Sequence, residues 1–123
     1  MKTDLEEIHS SLFGMLNTHE GPLVISGDSS SNAEAKGTKE VMQGRQKVNG
    51  HYFASIVSKP KDIRFYFFPI YTHADEFSPS EDLKKSLKGK SCFHINKLSD
   101  SMEMEIKAMI EKGVKLYQKD NLI

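Results

Sequence analysis

Three observations on this 123-residue chain predict an α+β fold in which an antiparallel sheet is packed by helices. Apolar residues recur at helical spacing near both ends, strongly β-prone runs occupy the middle, and the two kinds of segment are segregated rather than strictly alternating. The expected order is helix, three or four strands, helix, strand, helix, in a single domain of ordinary size.

The first helix is read from Thr3 to Asn17, where Leu5, Ile8, Leu12, Phe13 and Leu16 form one stripe. Thr3 or Asp4 is the candidate cap, Glu6 and Glu7 suit the positive first turn, and Gly21 with Pro22 stops the helix. Leu23 to Ser26 is a short strand candidate, followed by a polar stretch from Gly27 to Gly37 that reads as a surface loop. Thr38 to Val48 is read as a strand interrupted near Gly44.

The middle carries the stronger signals. His51 to Val57 (HYFASIV) and Ile63 to Ile70 (IRFYFFPI) predict two antiparallel strands, joined through Lys59, Pro60, Lys61 and Asp62. In the second, Ile63, Phe65 and Phe67 share one face and Tyr66, Phe68 and Ile70 the other, with Arg64 on the latter side suggesting a partly open start. Pro69 belongs at a strand end or bulge. Ser80 to Lys88 predicts a two-turn helix stopped by Gly89. Ser91 to Lys97 (SCFHINK) predicts a strand with Phe93 and Ile95 on one face and Cys92, His94 and Asn96 on the other. Ser99 to Tyr117 closes the pattern as a helix with the stripe Met102, Ile106, Met109, Ile110, Gly113, Leu116 and Tyr117. A glycine inside a helix costs roughly 1 kcal/mol against alanine, so Gly113 marks either close packing or fraying.

Composition narrows function. Lys and Arg number 17 and are balanced by 17 Asp and Glu, which argues against a general nucleic-acid binder or a polybasic membrane protein, since both need excess positive charge. The single cysteine excludes an intramolecular disulfide and a four-cysteine zinc site. The acidic opening MKTDLEEIHS has no long apolar run, so a soluble, cytoplasmic chain is expected.

Several constellations carry candidate chemistry. Gly89, Lys90 and Ser91 echo a phosphate loop, but Lys84 stands where that motif needs glycine, and a strand rather than a helix follows. Cys92 and His94 share a strand face as a nucleophile and base would, although side chains two apart on a strand are usually farther than a proton transfer needs. Asp4, Glu6, Glu7 and His9 form one oxygen-rich group, and Asp75, Glu76, Glu81 and Asp82 beside His73 a second. Either is a loose cation site or simply a set of helix-start acids. Lys84, Lys85, Lys88, Lys90 and Lys97 concentrate positive charge near Tyr66, Phe68 and Tyr71. That combination suggests a stacking platform, although solvated helix lysines explain it more cheaply than nucleic acid.

Tyr52 to Val57, Phe65 to Tyr71, and above all Leu87, Lys88, Gly89, Lys90, Ser91, Cys92 and Phe93 before Lys97 resemble the YdhG-like family, small bacterial domains of unknown function. The resemblance spans residues 51–98. It implies a secretion-chaperone-like α+β fold with a curved antiparallel sheet. Because some members are labelled frataxin-like iron chaperones, it also implies weak handling of Fe2+ as an alternative. The sequence departs from the commonest pattern at Phe68, often Met in members, and at His94, often Asn.

The resulting expectation is a non-enzymatic binding or chaperone-like domain, a monomer or weak homodimer, with an unidentified protein or small molecule as partner. Its candidate ligand-binding residues are Tyr66, Phe68, Tyr71, Lys88, Lys90, Cys92 and His94. The alternatives are iron delivery through Asp4, Glu6, Glu7 and His9 and, less favoured, a Cys92-dependent enzyme. No resident cofactor is expected beyond that weak Fe2+.

Overall fold

The computed structural model describes all 123 residues and is α+β. Helix α1 (Leu5–Asn17) turns Ile8, His9, Leu12 and Leu16 inward, as the stripe requires. Asp4 takes the N-cap position, although its side chain makes no capping bond. Six strands follow instead of three or four: β1 (Val24–Asp28), β2 (Ser31–Lys36), β3 (Glu40–Gln43), β4 (Gln46–Asn49), β5 (Tyr52–Ser58) and β6 (Ile63–Phe67). A one-turn helix α2 (Pro69–Thr72), a 3-10 turn (Ala74–Glu76) and α3 (Glu81–Ser86) lead to β7 (Leu87–Lys88), β8 (Cys92–Ile95) and the long α4 (Asp100–Lys119).

The six-stranded sheet runs β1, β2, β5, β6, β8, β7, with every neighbouring pair antiparallel. One face is the core face. Ala33, Ala35, Ala54, Ile56, Ile63, Phe65, Phe67, Phe93 and Ile95 are buried there, in one apolar cluster with the stripes of α1 and α4. Strand β6 is central, yet only its Ile63, Phe65 and Phe67 side is buried; Arg64 and Tyr66 remain half-exposed. The sheet is therefore covered on one face, and the other is open.

The segment Gly27 to Gly37 is not a loop. Its first two residues finish β1, Ser29 and Ser30 make a tight turn, and Ser31–Lys36 is β2, the second strand of the sheet. The turn is held by the Asp28 carboxylate, which accepts from the backbone N–H groups of Ser30 (2.8 Å) and Ser31 (2.9 Å). Gly27 sits at φ +89°, where a Cβ would collide with the Asn32 carbonyl oxygen, so only glycine fits. Ser, Asn and Ala are weak strand formers, and their composition concealed β2; pairing with β1 and β5 overrides that weak local preference.

The strand read between Thr38 and Val48 is a separate β3–β4 hairpin, folded at Gly44 (φ +63°). The strand read to Ile70 ends at Phe67. Phe68 is already helical (φ −63°, ψ −34°), because Pro69 removes a ladder donor and starts α2 with its fixed φ. Phe68 and Ile70 thus leave the face that strand alternation predicts for them with Tyr66. The α3 helix stops at Ser86, two residues short, because Leu87 and Lys88 pair with β8.

Helix α4 begins at the Ser99 cap, whose Oγ accepts from the Met102 N–H (3.1 Å). Val114 joins its buried face, whereas Leu116 is only partly covered. Gly113 marks close packing. A Cβ there would lie 3.0 Å from Phe67 Cζ, 3.1 Å from Pro69 Cγ and 3.2 Å from Phe53 Cε1.

Candidate functional site

The strand register assembles the open face. Ser55, Tyr66, Cys92 and Lys88 form one row across β5, β6, β8 and β7, and Val57, Arg64 and His94 form the next. Residues directly opposite on antiparallel strands are about 5 Å apart, so each row is continuous. Strand alternation puts Tyr66, Cys92, His94 and Lys88 on the side facing away from Phe65, Phe93, Ile95 and Leu87.

Phe68 and Tyr71 reach this surface from α2 rather than from the sheet. Their rings lie 5.7 Å apart, Phe68 lies 5.4 Å from Tyr52, and Lys90 Nζ stands 5.1 Å from the centre of the Tyr71 ring. Tyr71 is 48% exposed, while Tyr66 and Phe68 are half-buried. The Tyr52 hydroxyl donates to Ser55 Oγ (2.6 Å), which ties the aromatic corner to the Tyr66 row. Burial pushes the Tyr52 phenol up to about 12, so it remains a hydrogen-bond donor. The seven residues expected to bind ligand therefore lie along one surface, bounded by ammonium groups at Lys88 and Lys90.

Sequence reasoning missed Tyr52 and Asp62 in this surface. Tyr52 joins the aromatic corner beside a register shift where β2 pairs with β5, which simple alternation does not anticipate. Asp62, in the β5–β6 connection, accepts from Arg64 Nε (3.3 Å) and lies 3.6 Å from His94 Nδ1. It offsets the positive charge at that end, and the lysine end keeps its charge.

The Cys92 and His94 arrangement does not form a nucleophile and base. His94 is turned to Asp62, and burial pushes the Cys92 thiol up, an effect that nearby Tyr66 and Arg64 offset in part. A raised thiol holds less of the reactive thiolate at neutral pH.

The acidic groups are not brought together as cation sites, and no three His, Cys, Asp or Glu side chains are placed to share a metal ion. Asp4, Glu6 and Glu7 lie on the exposed side of α1 or at its start, whereas His9 is 2% exposed on the opposite side. Its two ring nitrogens are occupied. Nε2 lies 2.8 Å from the Ser31 carbonyl and 3.3 Å from that of Asp28, so it carries the proton and donates. Nδ1 accepts from the Ser58 hydroxyl (2.9 Å). The imidazole is a structural link between α1, the β1–β2 turn and β5, with no lone pair left for a metal. In the second group, His73 bonds to Asp120 (2.6 Å) and Thr72 (2.8 Å), while Asp75, Glu76, Glu81 and Asp82 face solvent.

No protein-family model, curated protein or solved structure matches the chain. The functional reading rests on the geometry just described.

Proposed function

We propose that this chain is a non-enzymatic binding domain of YdhG-like type that takes an anionic, partly aromatic ligand or partner surface on the open face of its sheet. One observation carries the reading: Tyr66, Phe68 and Tyr71 keep exposed area on the surface turned away from the apolar core, with Lys88 and Lys90 at its rim. Aromatic faces supply apolar contact at low entropy cost, and lysines at the edge select negative charge and steer approach. The raised Cys92 thiol and the His94–Asp62 contact support binding over covalent chemistry at this surface. The resemblance of residues 51–98 to the YdhG-like family, which implies a secretion-chaperone-like fold, supports the same reading.

The test is a 15N NMR titration with anilinonaphthalene sulfonate, an aromatic anion, and with an uncharged naphthalene of similar size. The expected outcome is shift changes gathered at Tyr66, Tyr71, Lys88, Lys90 and Cys92, stronger for the anion and weakened by Lys90→Glu. Shift changes centred elsewhere, or equal binding by Lys90→Glu, would refute the proposal.

A further inference from the structure

A recess lies on the helix-covered side of the sheet, where the first turns of α1 meet the β1–β2 turn and the β5–β6 connection. Its volume is about 380 Å³, within the range of small-ligand pockets. Its aliphatic lining is Leu5, half-buried, with Ile63 almost wholly buried beneath, and Glu6 and Lys59 are its charged lining residues. Neither charged side chain enters an ion pair, with the other or with any residue. Two opposite charges therefore line one small space without neutralising each other.

Two of the serines that line it have defined roles. His9 fixes Ser58, whose hydroxyl proton is committed to Nδ1, so Ser58 offers the recess only its oxygen lone pairs. Ser30 likewise donates its hydroxyl proton to the Asp28 carboxylate (3.0 Å). With the Glu6 carboxylate, these oxygens form an accepting wall, while Lys59 supplies an ammonium donor. A matching ligand needs a donor-rich cation, an anion, and an aliphatic portion for the aliphatic lining.

We propose that this recess binds a free α-amino acid with an aliphatic side chain, its ammonium group directed to Glu6 and the serine oxygens and its carboxylate to Lys59. The buried His9 takes the Ser58 hydroxyl proton on Nδ1 and so leaves that oxygen's lone pairs to the recess. This site is independent of the open-face proposal and shares no residue with it.

The full chain would be titrated by 15N NMR with L-leucine, N-acetyl-leucine, leucinamide and glucose. Leucine should shift residues 5–10, 29–31 and 58–63, and loss of either charge in the two derivatives should weaken binding by about tenfold or more. Glu6→Gln and Lys59→Gln, both at exposed positions and so expected to leave the fold intact, should each weaken leucine by a similar factor. Glu6→Gln should leave N-acetyl-leucine unchanged. Equal response to glucose, equal binding of N-acetyl-leucine and leucine, or no local shift at about 50 mM leucine would each overturn the proposal.

Discussion

The two glycines inside long helices give substitutions of opposite sign. In α4, Gly113→Ala gains roughly 1 kcal/mol of helix propensity, but its methyl must enter a space bounded at 3.0 to 3.2 Å by two phenyl rings and a proline ring. Those rings are not free to yield. Phe53 and Phe67 are packed edge-to-face at 5.6 Å, Phe67 is held in the same way by Phe77 at 5.5 Å, and Phe53 by Tyr117 at 5.3 Å. Overpacking of this kind costs about 1–3 kcal/mol, so the net effect is a loss of about 1 kcal/mol. In α1, a Cβ on Gly14 meets nothing within 4 Å, and Gly14→Ala should stabilise by about 1 kcal/mol. Urea unfolding followed by far-UV circular dichroism, with the slope checked for constancy, measures both changes. A Gly113→Ala protein as stable as the parent or more so, alongside the expected gain at Gly14, would refute the close-packing account.

Three further outcomes follow from single groups. His9→Leu strips donors from the Ser31 and Asp28 carbonyls and an acceptor from Ser58, and should lower stability by about 1–3 kcal/mol; a change under about 0.5 kcal/mol would deny the imidazole its structural role. Burial lowers the His51 imidazole below its ordinary value, with the backbone hydrogen bond to Tyr52 opposing the shift. As pH falls below about 6.5 the unfolded chain is protonated first, so stability is lost until the lower folded value is passed. Thermal unfolding at pH 7.5 and pH 5 should therefore show a smaller drop for His51→Gln than for the parent, and parallel drops would exclude the effect. Because its thiol is raised, Cys92 should react with iodoacetamide at pH 8 more slowly than free cysteine, by mass spectrometry; a faster rate would restore it as a candidate nucleophile.

Much of the scaffold was legible because its signals are periodic and local. The stripes of α1 and α4, the Ser99 cap and the alternation of Phe93 and Ile95 against Cys92 and His94 all appear in the order of residues, since a helix or strand buries whatever its own repeat presents. Alternation puts Cys92 with His94 on one strand face, but nothing local says that they share a surface with Tyr66, Tyr71, Lys88 and Lys90, which lie on other elements. Strand β2 was hidden because Ala33 and Ala35 carry no strand preference of their own and become buried only between β1 and β5. The inward turn of His9 was equally hidden, since its partners Ser31 and Ser58 are remote in the chain.

The sequence by itself determined the α+β class, the principal helices and the β5, β6 and β8 strands, because backbone propensity and hydrophobic period act within a few residues. Only the tertiary structure decided which sheet face is open, how α2 carries Phe68 and Tyr71 back to the Tyr66 row, and which charges are left unpaired. Those outcomes depend on long-range register and on which neighbour reaches each polar group first, and neither is encoded in any single segment.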